Sequence, residues 1–220
     1  MFNFVIIGMI GAFIAGFGAR AILRRKARRR LTESLTFQDA AQARLALDAL
    51  RDPQGALPPG LQGAEARLYI LEERYEEARE ALVAHLNSEL APHDRIRAHA
   101  DLAWTLARLG RQAEAIAAAQ TVLAETAASP ESLELAGTAL IMAGQPGSAV
   151  DALQRALAAG AQGQASSRAF HLGEALLLSQ RLDEAAAAYE RCRREDARSP
   201  WAARAEERLT QLAQQRPYRS

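Results

Sequence analysis

A single cysteine, Cys192, and a single lysine, Lys26, stand among 220 residues, and aromatics make up only 5% of the chain. One cysteine excludes an intrachain disulfide and any cysteine-built zinc site. Few aromatics beside 49% hydrophobic residues, most visibly Ala and Leu, favour helix over sheet, because strands draw on β-branched and aromatic side chains. No GxGxxG or GxxxxGK[ST] stretch occurs, so the usual phosphate cradle of nucleotide-binding proteins is missing. The four histidines, His85, His93, His99 and His171, include no HxxxH pair that would aim two rings from one helical face. Cys192 has no evident base to activate it as a nucleophile. The sequence therefore predicts no catalytic residue, no metal and no cofactor.

Charge is scarce in one place and crowded in the next. Phe2 to Ala19 holds no charged residue, and Arg20, Arg24, Arg25, Lys26, Arg28, Arg29 and Arg30 follow with no acid before Glu33. As a helix the eighteen uncharged residues would span roughly 27 Å, close to the hydrocarbon thickness of a bilayer. A cleaved secretory signal carries its positive charge ahead of the apolar run, and here the order is reversed. The reading that follows is a transmembrane anchor over 1–23 and a basic juxtamembrane segment over 24–35. Basic flanks stay on the cytoplasmic side, which places the N-terminus outside and the rest of the chain in the cytoplasm at a bacterial inner membrane. Arg24, Arg25, Lys26, Arg28, Arg29 and Arg30 would set that topology and meet lipid headgroups. Gly8, Ala12 and Gly16, four residues apart, form a small-residue line suited to helix association in lipid. Beyond residue 30 the chain holds 20 cations and 26 acids, a net of −6, which argues against nucleic acid as a partner.

The body carries a repeat. EERYEEAREAL (72–82), LGRQAEAIAAA (109–119), AGQPGSAVDAL (143–153) and SQRLDEAAAAY (179–189) align on Ala78, Ala115, Ala149 and Ala185, spaced by 37, 34 and 36 residues. Twelve positions before each alanine stands another small residue: Ala66, Ala103, Gly137 and Gly173. Four positions after it stand Leu82, Ala119, Leu153 and Tyr189. Small residues on two helices joined by a short turn let the backbones approach, and no such hairpin buries its apolar face alone, so several must stack.

This period, the turn glycines Gly110 and Gly144, and the small-residue pairing resemble the tetratricopeptide repeat (TPR) family. The family's tryptophan position is not filled in any repeat, and its helix-ending proline is displaced at Pro92, Pro130 and Pro200. The resemblance implies an all-α fold, with a right-handed superhelix of four hairpins over 61–196 following the anchor. Residues 36–60 would hold a helix and linker, the helix opening at Ser34 or Thr36; whether it is half of a degenerate repeat or a stalk stays open. A last helix follows over 197–215, and 216–220 form a tail.

Ligands of this family lie along the first helices, which line a concave groove. Carried over by position, the partner-binding residues would be Arg67, Arg97, Trp104, Arg108, Thr138, Ile141, Met142, Phe170 and Glu174. Trp104 between Arg97 and Arg108 is the leading candidate, because Trp and Arg are enriched in binding hot spots. Anchor, basic flank and repeats together resemble the N-terminal part of the lipopolysaccharide assembly protein B family, without its rubredoxin-like module. The implied function is a non-enzymatic membrane-anchored scaffold that binds a peptide or helix of a protein partner and supports assembly of a membrane complex. The alternatives are a periplasm-facing envelope or pilus assembly protein and a homo-oligomeric structural protein.

Overall fold

The computed structural model describes residues 22–58, 60–160 and 164–215, and among them it contains helices and turns but no strand. The helices are α1 (22–36), α2 (Ala40–Asp48), α3 (Gln62–Leu71), α4 (Tyr75–Leu86), α5 (Pro92–Arg108), α6 (Gln112–Ala124), α7 (Pro130–Met142), α8 (Pro146–Ala159), α9 (Ala165–Leu178), α10 (Leu182–Glu195) and α11 (Pro200–Gln215). The chain divides into two compact units, Met1–Ala81 and Leu82–Ser220.

One turn recurs five times. Gln38, Glu73, Gly110, Gly144 and Gln180 each take positive φ, between 57° and 77°. The next residue's amide then reaches back to a carbonyl in the last turn of the preceding helix: Asp39 to Ser34, Arg74 to Tyr69, Arg111 to Leu106, Gln145 to Leu140 and Arg181 to Leu176, all at 2.8–2.9 Å. This left-handed ending satisfies carbonyls that the helix itself leaves unpaired. It reverses the chain within three residues, which is what a helical hairpin needs. Prolines Pro92, Pro130, Pro146 and Pro200 open α5, α7, α8 and α11, where a missing N–H leaves no bond unmade.

In the first unit, α1 and α2 form a hairpin with the same turn as the others. Leu31, Ala43, Ala46, Leu47 and Leu50 are buried together with Leu68 of α3, and Leu35, Leu57 and Leu61 pack at the edge. Ala43 holds the position of the aligned alanines, five residues past the turn, but Leu31 fills the place that is small in the other repeats. The helix does not open at Ser34 or Thr36; both close α1, and Asp39 caps α2 by accepting from the Gln42 amide at 3.0 Å. Leu45 is exposed, whereas Leu47 and Leu50 turn into this core. Arg44 pairs with Glu72 and Arg51 with Glu65, tying α2 to the α3 region.

The N-terminal expectation needs correction. Most of the expected anchor (1–23), with Gly8, Ala12 and Gly16, lies outside the described residues. Among the described residues no helix is long and apolar enough to cross a membrane. The described part, Ile22 and Leu23, belongs to α1, which runs on through RRKARRR, and six cations in seven residues do not enter hydrocarbon. The placement as a single-pass inner-membrane protein with cytoplasmic repeats does not hold on this finding. The six cations between Arg24 and Arg30, read as part of a basic juxtamembrane segment, are exposed side chains of α1.

In the second unit, each first helix packs on its own second helix and on the next first helix: α5 on α6 and α7, α7 on α8 and α9, α9 on α10 and α11. One continuous core runs through these helices, from Ile96 and Ala103 through Leu140 and Leu153 to Leu176, Tyr189 and Ala205. Small residues are needed where large ones lean in. A Cβ on Gly137 would stand 2.7 Å from Leu153 Cγ, and one on Gly173 would run into the Tyr189 ring. The small residue of the first helix therefore faces the side chain four positions past the aligned alanine, where the alignment alone pairs it with the alanine itself. Between second helices, Arg155 of α8 donates to the carbonyls of Leu123 and Glu125 at 2.7 and 3.0 Å, closing the end of α6.

Candidate partner-binding surface

The first helices α5, α7 and α9 of the second unit turn one side to the core and leave another open. On α5, Arg97 donates through Nε to both carboxylate oxygens of the buried Asp101 at 3.3 Å. One turn further, Trp104 is half-buried against the core, and the Arg108 guanidinium lies 5.6 Å from its ring centre. That cation–π arrangement keeps the indole covered on one face while its charge stays near water.

On α7, Thr138 spends its hydroxyl on the Glu134 carbonyl at 2.8 Å. Ile141 packs partly on the core, whereas Met142 is exposed at 36%. Leu178 of α9 stands at the position equivalent to Met142, two residues before the turn, and is exposed at 55%. Arg108 occupies the same position in α5. The turn-side ends of α5, α7 and α9 therefore present a cation and two bare apolar side chains at matching positions, with Trp104, Ile141 and Leu177 half-buried behind them.

The opposite end of this layer is polar and closed. Arg168 of α9, 1% exposed, reaches Glu134 Oε2 at 3.2 Å, Glu131 Oε1 at 2.9 Å and Gln164 Oε1 at 2.9 Å. Glu134 also accepts from Ser167 at 2.7 Å and faces His171 Nδ1 at 3.2 Å. Burial opposes ionisation of Glu131, but its own backbone amide, the Arg168 charge and Ser129 together hold its carboxyl below the usual range. Nearer the turns, at the register of Trp104 and Thr138, Glu174 accepts a fork from Arg208 of α11 at 2.8 and 2.9 Å, and the Tyr189 hydroxyl donates to it as well. Burial, then the bond to Glu174 and its charge, push the Tyr189 phenol far above its usual range.

The candidate residues thus separate. Arg97, Trp104, Arg108, Thr138, Ile141 and Met142 lie on α5 and α7. Phe170 is a correction: it is buried, its ring 5.8 Å from Tyr189 and 5.3 Å from Trp201 of α11, and it cannot line an open groove. Glu174 is engaged by α11 in the same way. Arg67 is half-buried on α3, in the first unit. Arg24, Arg25, Lys26, Arg28, Arg29 and Arg30 are exposed on α1.

Sequence reasoning missed the Arg168 cluster, although one signal was available. Glu134 and Arg168 are 34 residues apart, as are Glu174 and Arg208, so opposite charges recur at the repeat period. Among the described residues no three His, Cys, Asp or Glu side chains converge as metal ligands would. Cys192 is buried, and its thiol is pushed up by that burial.

The fold and this layered arrangement define a TPR-like helical repeat protein. Its fold is similar to that of MamA. One MamA crystal structure superposes with a TM-score of 0.54 at 21% identity, covering 68% of this chain and 82% of that one. MamA MSR-1 gives 0.54 at 16% identity over 80% and 97%, and MamA AMB-1 gives 0.51 at 17% over 80% and 99%. At such identities the likeness is one of fold. No protein-family model and no curated protein matches the chain, and the resemblance to the lipopolysaccharide assembly protein B family, which leaned on the anchor, goes no further.

Proposed function

We propose that the chain is a protein-binding scaffold whose second unit takes a peptide or helix of a protein partner along the turn-side ends of α5, α7 and α9. The observation that carries this reading is the pair Met142 and Leu178, bare apolar side chains at equivalent positions of adjacent first helices. Exposed apolar side chains that recur in register, backed by a half-buried Trp104 under Arg108, make a surface that gains by being covered. Thr138 borders it, its hydroxyl already engaged within its own helix, while Arg97, at the register of Glu131, lies toward the other end of α5. The same design supports assembly of a larger complex, with the repeats acting as the holder and the chemistry supplied by what is held.

The test is a photo-crosslinking amino acid placed at Met142, at Leu178, or at the exposed Ala117 of α6 as a control. A protein crosslinked from 142 and 178, absent from 117, and lost with Trp104→Ala supports the reading. Equal crosslinking from all three sites, or none from 142 and 178, overturns it. Crosslinks only to a second copy of this chain would identify the partner as itself.

A further inference from the structure

The charged face of α1 is not used by the partner surface above, and its geometry is specific. Ala27, Leu31, Ser34 and Leu35 turn inward, Leu31 and Ser34 fully buried. At 3.6 residues per turn the side directly opposite carries Ile22, Arg25, Lys26 and Arg29. Arg28 and Arg30 stand on its flanks and Arg24 nearer the core side, and all six cations are exposed. Ile22 and Leu23 are exposed at 67% and 65% at the same end of the helix. Glu33 is the one acid of α1, and it pairs with Arg29 at 2.7 Å.

A merely solvated helix face mixes both signs, as α10 does with Arg181–Glu184 and Arg193–Glu190. Here the cations lack such balance, and they are held in place because the opposite side of the helix is fixed in the α1–α2 core. We propose that this face of α1 docks on a surface of acidic phospholipid, with Arg25, Lys26 and Arg29 against the phosphates and Ile22, on the same side, entering the headgroup boundary. Exposed Ile22 among the cations favours lipid over nucleic acid, since phosphates of a duplex or a single strand offer nothing for a bare Ile to enter. The contact made by α1 is that of a helix lying on the interface.

The experiment is partitioning of the full chain onto vesicles of phosphatidylcholine alone and of phosphatidylcholine with 30% phosphatidylglycerol (about a third acidic lipid, a composition that gives a strongly negative surface). The reading is the ratio of the two partition coefficients, so that any uncharged apolar contribution cancels. Each surface cation adds roughly fivefold on an acidic bilayer. Arg25→Gln with Arg29→Gln should lower the ratio by roughly 25-fold while leaving binding to neutral vesicles unchanged. Raising salt should lower the wild-type ratio toward that of the variant. Both positions are exposed, and unchanged far-UV circular dichroism shows that α1 stays folded; Lys26→Gln alone, expected to cost roughly fivefold, serves if the double variant does not. A wild-type ratio near one, a ratio unmoved by either substitution, or tighter binding to poly(U) RNA than to the acidic vesicles would overturn the proposal.

Discussion

Replacing Gly137 by alanine isolates the packing rule of these hairpins. In an open helix the change is favourable, because glycine costs about 1 kcal/mol relative to alanine in a helix interior. In α7 the new methyl would stand 2.7, 3.1 and 3.3 Å from Cγ, Cδ2 and Cδ1 of Leu153. Carbon atoms rest about 3.5–4.0 Å apart, so the nearest pair overlaps by roughly 1 Å. Leu153 is fully buried, and the atom met first is its branch point rather than a free end. Overpacking of this kind costs about 1–3 kcal/mol, and the upper part of that range applies. The net expectation is a loss of about 1–2 kcal/mol, or roughly 0.7 M in the urea midpoint for a slope near 2 kcal/mol/M. Gly147, at the start of α8 with nothing within 4 Å of where an added methyl would sit, provides the control: Gly147→Ala should be neutral or stabilising by up to about 1 kcal/mol. Urea unfolding is followed by tryptophan fluorescence and circular dichroism together, since coincident curves license a single free energy. A double-mutant cycle sharpens the test. With Leu153→Ala in place, the pair would match Ala103 and Ala119, and Gly137→Ala should no longer destabilise, a coupling of about 2 kcal/mol. Gly137→Ala as stable as Gly147→Ala, or a cycle without coupling, would refute the small-against-large pairing.

Three further outcomes follow from the same structure. Arg168→Met should cost about 1–3 kcal/mol by leaving the part-buried Glu134 and the half-exposed Glu131 without their cation, and adding Glu134→Leu should recover part of it. The same variant tests linkage: Glu131 titrates below its unfolded value, so its contribution is present above the ordinary carboxylate range and is lost as pH falls through the lower folded value. In Arg168→Met the acid limb of a stability-versus-pH profile should flatten accordingly. Gln180→Gly should stabilise by up to about 1 kcal/mol, because a side-chain-bearing residue holds φ +61° there while Gly110 and Gly144 hold the same conformation freely; thermal melts compare it directly with Gly144→Ala, which should lose a similar amount. Asp39→Ala removes the α2 cap and should cost about 1 kcal/mol, read as faster amide exchange at Gln42 with exchange in α7 to α10 unchanged.

Much of the body was legible because its information is local and periodic. Ala78, Ala115, Ala149 and Ala185 mark the second helices, and the prolines and turn glycines bracket them. The α1–α2 hairpin was hidden for three physical reasons. Its turn uses Gln38 in place of glycine, its small position is filled by Leu31, and the cationic run masks the inward Ala27–Leu31–Leu35 side. At the candidate surface, the family's positions fall on the half-buried Trp104 and the exposed Arg108 and Met142, whereas Phe170 is buried. A position rule assumes that the fourth repeat's first helix is open, whereas Trp201 of α11 stacks on Phe170 and lies 4.9 Å from the His171 ring. That contact depends on a later helix, which a period measured inside the repeats does not contain. The apolar run before residue 22 was read by length and charge alone and lies outside the described residues, whereas the cations after it belong to the packed helix α1.

The bonds that join neighbouring repeats reach back by one repeat's length: 34 residues from Arg208 to Glu174 and 37 from Arg168 to Glu131 and from His171 to Glu134. During synthesis, each new first helix therefore finds its partners among residues that have only just left the ribosome. Phe170 and His171 follow the same rule, since their last aromatic cover arrives with Trp201 at the start of α11. Until then the nascent chain shows an aromatic face that the finished protein never presents, and that interval is when a chaperone would find most to hold.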